Sequence, residues 1–313
     1  MEAREVQHGK FQWPPQRVDA QAGAVAAQRA VDIARGESRR PATRGERVQR
    51  PLTWWGTVER TFFGVTSGTW AQRADEVGWE PDGVDAYCAR CGQTVGMFEE
   101  RGSPQRGVDG GEGACSHCAS LTIPWSRVVR MGAYTGVLRE CILEVKFSAW
   151  RRLGMDLGHD HGLVVLGALE VAGIDPASAV LVPVPTSPWR RMTRGIDHTL
   201  TIARAMSASS GISLAPMLRR QHRPPQTGRT LDQRRRNVAK TMSAVGVGAG
   251  SLDRKTVLLV DDVMTSGATM REACRAVAEW SRAGGSGTPR LWVCPLAVTN
   301  ALEEDGKAGY LRA

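Results

Sequence analysis

The second half of the chain alternates between two spacings of apolar residues. RVVRMGAY (127–134) reads as a strand. GVLRECILEVKF (136–147) and RRLGMDLGHDHGLVVLGALEVAG (151–173) place apolar residues three and four apart, the spacing of a helix face. SAVLVPVP (178–185) is a short, wholly apolar strand, and PWRRMTRGIDHTLTIARAMSASSG (188–211) returns to helical spacing and closes on Gly211. LAPML (214–218) is a weak strand, and LDQRRRNVAK (231–240) has the pattern of a short helix. KTVLLV (255–260) is the central strand, ending where Asp261 begins. ATMREACRAVAEWSRAGG (268–285) is the helix after it, and RLWVCPLAVT (290–299) a further strand. Strands that alternate with helices and lack a polar face predict an α/β fold: a parallel sheet flanked by helices.

The first half differs. Residues 1–50 are rich in Arg, Gln and Ala and read as a disordered basic tail with one short helical stretch, AGAVAAQRAVDIARG. Residues 51–84 form an aromatic helical linker, in which TWWGTVERTFFG (53–64) carries a sticky face that docks on a neighbouring domain. Residues 85–125 hold four cysteines, 126–300 hold the alternating elements, and 301–313 form a second tail. No apolar run nears the roughly 20 residues that span a bilayer. The first residues lack the apolar core of a secretory signal, so a cytoplasmic location is expected. The seven cysteines are then thiols or metal ligands rather than disulfides.

Cys88-Ala-Arg-Cys91 and Cys115-Ser-His-Cys118 are two CxxC pairs separated by 23 residues. Four thiolates at this spacing form a closed tetrahedral Zn²⁺ site, which is structural. A segment of about 40 residues has too little core to fold alone, so the metal would stabilise it. Gly92 and Ala119 follow the second Cys of each pair and would let backbone N–H groups turn toward sulfur. Cys141, Cys274 and Cys294 read as packing residues. His159 and His161, two apart on a helix, diverge and read as a solvated surface rather than as ligands.

The densest chemistry is VLLVDDVMTSGATM (257–270). In an open α/β sheet ligands bind beyond the carboxyl ends of the strands. A helix start exposes unpaired N–H groups carrying about half a positive charge. A turn of Thr265, Ser266, Gly267, Ala268 and Thr269 lets those groups close on a phosphate, with the hydroxyls as extra donors. Asp261 and Asp262 repel phosphate but accept well from sugar hydroxyls, so the economical ligand is a ribose 5-phosphate group. A phospho-acceptor receiver domain would need about a hundred residues after such an acid pair, and about fifty remain. A Walker loop would need GxxxxGK[ST], which is absent. Charge agrees with an anionic partner: residues 186–240 hold twelve Lys or Arg against two Asp, net +10, in a chain whose total is +9.

VLLVDDVMTSGAT resembles the phosphoribosyl diphosphate (PRPP) motif of type I phosphoribosyltransferases. Four Cys, then VKF, then VPVP with an Arg-Arg-x-x-Arg-Gly segment, then PPQTG followed by RRRNV, resemble in that order the ComF (competence protein F) family. The resemblance spans about residues 87–299 and implies a type I phosphoribosyltransferase fold preceded by a small Cys₄ zinc-ribbon module. It also implies that Asp261 and Asp262 hold the ribose hydroxyls and that the 265–269 turn holds the 5-phosphate. Pyrophosphate would bind at Thr186 to Arg194, with Thr186, Arg190, Arg191, Arg194 and Arg229 as candidates. Residues 224–237, PPQTGRTLDQRRRN, would form a hood over the ligand, and Mg²⁺ would arrive with PRPP.

The chain departs from the family at Ile196-Asp197-His198, where Phe-Asn-Gln is frequent, and at Arg223 and Arg229. Lys146, in VKF, matches a recurrent family lysine whose role the sequence does not explain. Two functions fit. One is an enzyme that transfers ribose 5-phosphate from PRPP to a nucleophile. The other is a non-catalytic module, regulated by PRPP or a nucleotide, that binds single-stranded DNA during DNA uptake, with Trp189 beside Arg190 and Arg191 stacking a base.

Overall fold

The computed structural model describes residues 68–83, 85–95, 114–147, 151–186, 197–220, 241–245, 252, 255–285 and 287–300. Its elements in chain order are α1 (Trp70–Glu76), β1 (Arg127–Val128), β2 (Gly132–Ala133), α2 (Gly136–Phe147), α3 (Arg151–Val171), β3 (Ala179–Pro183), α4 (His198–Ser210), β4 (Ser213–Leu214), β5 (Leu218–Arg220), β6 (Met242–Ala244), β7 (Thr256–Met264), α5 (Ala268–Ala283) and β8 (Arg290–Val298). The main sheet runs β1-β8-β7-β3-β4, with β2 also on β8, and every pairing in it is parallel. β5 and β6 form a separate antiparallel pair. The two expected tails, residues 1–50 and 301–313, and the TWWGTVERTFFG stretch lie outside the described residues.

Strand residues alternate between two cores. Leu181, Leu258 and Val260 face α2, α3 and α4, while Val180, Val182, Val257 and Leu259 face α5 and the β5–β6 pair. The alternation slips once, at the acid pair: Val263 shares the core of Val260, three residues before it, instead of the opposite one. α1 closes the first core. Trp70 is buried and donates to Asp160 Oδ2 at 2.9 Å, and Arg73 grips both oxygens of Glu144 on α2 at 2.7 and 2.9 Å.

The α3–α4 contact depends on residues the apolar pattern passes over. Gly154, Gly158 and Gly162 stand four apart on α3, on one face. A Cβ on Gly158 would lie 2.5 Å from the Ile202 carbonyl oxygen, and one on Gly162 would lie 2.7 Å from that of Met206. The backbones of the two helices therefore approach closely, with only the small Ala205 and Ser209 side chains of α4 at the contact, Ser209 Oγ donating to the His159 carbonyl at 2.8 Å.

Several boundaries differ from the sequence expectation. The 127–134 strand is two short pieces; the register that pairs Val128 with Val293 and Gly132 with Ala297 sets Pro295, which has no N–H, opposite the break. The 214–218 strand is likewise divided, because Pro216 follows the last ladder bond, Ala215 N–H to Leu181 O, and the chain then leaves the main sheet for β5. The helix expected from 188 begins at His198, where the Asp197 carboxylate caps the Leu200 amide at 3.2 Å; residues 187–196 lie outside the described residues. Gly211 does end it, in the left-handed conformation (φ 73°). His161 is not solvated: it is fully buried against β8, with Nε2 3.2 Å from the Cys294 carbonyl, while His159 stays half-exposed beside Asp160. Among the described residues no helix is long and apolar enough to cross a membrane.

Candidate functional site

The central strand does not stop at Val260. β7 continues to Met264, so Asp261 and Asp262 lie inside the strand, and Asp261 pairs with Pro295 of β8. The ladder to β8 covers them at backbone level, while the side chains sit half-buried near the carboxyl end of the sheet. The turn is correspondingly short. Thr265 and Ser266 are exposed, Gly267 is buried, and Ala268 and Thr269 already form the first turn of α5. Gly267 is left-handed (φ 69°), a conformation that side chains disfavour, and no side chain caps the helix. No acidic residue stands in the first turn either. The N–H end of a helix of 16 residues is therefore offered without an internal anion.

The two acids are approached by different cations from different layers. Lys146, in the last turn of α2, places Nζ 3.1 Å from Asp262 Oδ1. Asp261 accepts the Asp262 amide at 2.9 Å. Burial, followed by the negative charge of Asp262, pushes the Asp261 carboxyl up to about 8, and Lys146 and Arg220 of β5 act against that rise. The rise favours the protonated form of Asp261, which can then donate as well as accept beside Asp262, a combination suited to a vicinal diol.

Thr186 follows β3, whose Pro183 pairs with Val260, so the sheet sets this loop entrance beside the acid pair. Its hydroxyl reaches Asp197 Oδ1 at 3.4 Å, tying the two ends of the 187–196 connection together. Arg190, Arg191, Arg194 and Trp189 fall within that connection, outside the described residues. The same holds for Arg223 and Arg229. The 221–240 segment leaves and returns through β5 and β6, where Arg220 pairs with Met242. Both groups of Met242 are held from α5: Glu272 Oε1 accepts its N–H at 3.0 Å, and Arg275 donates to its carbonyl at 2.8 Å.

The four cysteines converge. All are buried, with Sγ separations of 3.8 Å (Cys88–Cys118), 3.5 Å (Cys91–Cys115) and 3.8 Å (Cys115–Cys118). A tetrahedron of thiolates about 2.3 Å from Zn²⁺ has edges of about 3.8 Å, so the donor set fits that ion. The Gly92 and Ala119 amides donate to the Cys88 and Cys115 carbonyls, closing each turn, rather than to sulfur. Cys141, Cys274 and Cys294 are buried in the cores, as packing residues.

Lys146 and Arg220 are the residues that sequence reasoning left without a role. The lysine was visible as part of VKF, yet nothing in the chain order tells that the end of α2 meets the end of β7.

A model of the phosphoribosyl transferase domain matches residues 200–281, from within α4 to within α5 and therefore across β7 and its turn. The chain carries a type I phosphoribosyltransferase domain. "Competence protein F" of Haemophilus influenzae is 25% identical over 188 residues, 59% of this chain and 76% of that protein. "DNA utilization protein YhgH" of Salmonella typhi is 25% identical over 214 residues, 67% of this chain and 88% of that one. The chain is thus a relative of ComF proteins at modest identity, with a cysteine cluster ahead of its phosphoribosyltransferase domain. Among solved structures, the allosteric regulatory enzyme of purine biosynthesis is similar at 19% identity and a TM-score of 0.31, over 50% of this chain and 30% of that chain. Glutamine phosphoribosylpyrophosphate amidotransferase from B. subtilis, complexed with ADP and GMP, is similar at 18% identity and a TM-score of 0.30, over 50% of this chain and 30% of that chain.

Proposed function

We propose that the chain binds PRPP at the carboxyl end of β7 and transfers its ribose 5-phosphate group to a nucleophile in the cytoplasm. The observation that carries this reading is the juxtaposition of the Asp261–Asp262 pair with the uncapped helix start at Ala268. The amides of the 265–269 turn take the 5-phosphate. Asp262, 3.1 Å from Lys146 Nζ, accepts from one ribose hydroxyl, and Asp261 completes the second contact. On this reading pyrophosphate would bind toward Thr186, with Arg190, Arg191, Arg194 and Arg229 as candidate partners and residues 224–237 as the hood, all but Thr186 outside the described residues.

Breaking the bond from C1 to pyrophosphate builds positive charge on the ribose and negative charge on the leaving group. The carboxylate near the ring stabilises the first, and the arginines stabilise the second. Mg²⁺ arriving with PRPP, and needing few protein ligands, would add to the neutralisation of the leaving group. A closed hood keeps water from the ribose cation. Cys88, Cys91, Cys115 and Cys118 would hold a zinc ion in a structural role.

Pyrophosphate release tests this reading, with the purified protein incubated with PRPP, Mg²⁺ and a panel of bases, amines and ammonia. Release that disappears in Asp261→Asn and Asp262→Asn supports transfer. A second reading is favoured by the names of the relatives and by the +10 charge over 186–240: a non-catalytic, PRPP-regulated module that binds single-stranded DNA. Saturable PRPP binding without release, together with DNA affinity that falls steeply with salt, supports that one instead.

A further inference from the structure

The Cys₄ module and the sugar-phosphate turn share a support. Between Cys88 and Cys91, two consecutive carbonyls are bonded into the phosphoribosyltransferase domain: Ala89 O accepts Val128 N–H at 2.6 Å, and Arg90 O accepts the indole N–H of Trp125 at 2.9 Å. The Arg90 guanidinium spans to the other cysteine pair, donating to the carbonyls of Cys118 at 3.4 Å and Leu121 at 2.9 Å. The far edge of the buried Trp125 ring lies under the turn. Its Cη2 is 3.1 Å from where a Cβ on Gly267 would stand, and the Arg271 guanidinium sits 5.5 Å above the same ring. Arg271 in turn reaches the Ser266 carbonyl at 3.4 Å.

A second route runs beside the first. Gly92, next to Cys91, is left-handed (φ 77°), and a Cβ there would meet Val128 at 2.9 Å, Val298 at 3.0 Å and Met264 at 3.4 Å. Met264 is the last residue of β7 and the immediate predecessor of Thr265. Its carbonyl accepts Thr299 N–H at 3.1 Å, and the Thr299 carbonyl accepts the Gln93 side chain at 2.9 Å. Residues within and just after the first cysteine pair are thus linked to Met264 before the turn and, through Trp125, to Gly267 and Arg271.

We propose that the metal-bound cysteine module props the sugar-phosphate turn, with Trp125 as the positioning residue that transmits the support, so that metal occupancy sets how rigidly the turn is held and how well it binds a phosphate. The proposal rests on the reading of residues 265–269 as the 5-phosphate site. Four thiolates on one ion fix the 88–91 backbone, hence the position of the Arg90 carbonyl. That carbonyl orients the indole, and the indole fills the space beneath Gly267 and beside Arg271. Removing the ion frees the first member of this chain, and the turn loses preorganisation although none of its own residues has changed.

The test measures amide hydrogen exchange and ribose 5-phosphate affinity on the full-length protein. The samples are zinc-loaded wild type, chelator-treated wild type, and two zinc-loaded variants, Trp125→Phe and Gly92→Ala. Trp125→Phe deletes both the N–H to Arg90 and the ring edge under Gly267; Gly92→Ala presses on Val128, Val298 and Met264. Exchange in β3, residues 179–183, reports whether the domain remains folded. The expected result is exchange at 266–270 at least fivefold faster in the chelated protein and in both variants, with β3 unchanged, and ribose 5-phosphate affinity at least threefold weaker in the variants. Exchange at 266–270 that ignores both chelation and Trp125→Phe overturns the proposal. If zinc-loaded wild type binds no ribose 5-phosphate while exchange responds as expected, the support stands and the ligand reading fails.

Discussion

Lys146 Nζ, in the last turn of α2, lies 3.1 Å from Asp262 Oδ1, near the end of β7. The pair is about one-fifth exposed on either side, so it is neither a free surface pair nor sealed from water. It sorts the roles of two adjacent acids: Asp262 is matched by a cation at contact distance, while Asp261 carries the cost of burial.

Replacing Lys146 with Met removes that match. Asp261 loses an opposing positive charge as well, and its carboxyl rises further above about 8. The expected outcome is a stability loss of about 1–3 kcal/mol, with Lys146→Arg recovering part of it. Thermal unfolding of the two variants beside wild type, and carboxyl-carbon NMR of Asp261, check both halves of the prediction.

The raised Asp261 carboxyl gives the unliganded protein a definite pH dependence. The folded state holds this proton up to about 8, and the unfolded chain releases it near 4, so the folded state binds more protons between these values. Stability therefore falls as pH rises through that window. His161 acts the other way: burial pulls it down to about 4, so the neutral folded form gains stability as pH rises from about 4 to about 6.5. The two oppose each other below about 6.5, and Asp261 acts alone of the two from there to about 8. Denaturant melts at pH 6.5 and 8 should show a drop in wild type that is smaller in Asp261→Asn. His161→Gln should flatten the acid side only.

Gly158→Ala separates local preference from packing. By helix propensity alone, alanine would stabilise α3 by about 1 kcal/mol. The added Cβ falls 2.5 Å from a backbone oxygen of α4, which cannot swing aside as a side-chain tip can. The expected net effect is destabilising, by about 1–3 kcal/mol, with a lowered melting temperature as the readout.

The cysteine cluster predicts a metal count. Cobalt substituted into the protein should give the spectrum of a tetrahedral tetrathiolate, and Cys118→Ser should lose it. A retained tetrathiolate spectrum in that variant would place the ion elsewhere.

The parallel sheet is legible in the sequence because its strands, buried on both faces, are apolar without interruption: AVLVP in β3 and TVLLV opening β7. The convergence of the cysteines is legible because CxxC spacing has few other uses. What escapes are relationships set by tertiary approach. Gly154, Gly158 and Gly162 look like weak helix positions until α4 is seen against them. His161 looks polar until β8 covers it. β7 seems to end where its apolar run ends, yet hydrogen bonding to β8 carries the strand through two acids to Met264. Lys146 and Trp125 gain meaning only from partners about 115 and 142 residues away, and apolar periodicity carries no information at that range.

Isothermal titration of the zinc-loaded, full-length protein with PRPP in the presence of Mg²⁺ tests the central claim most directly. One saturable site is expected, weakened at least tenfold in Asp262→Asn and by a charge substitution in the turn, Ser266→Asp. No heat with PRPP or ribose 5-phosphate, or an affinity indifferent to both substitutions, would contradict a sugar-phosphate site at the end of β7.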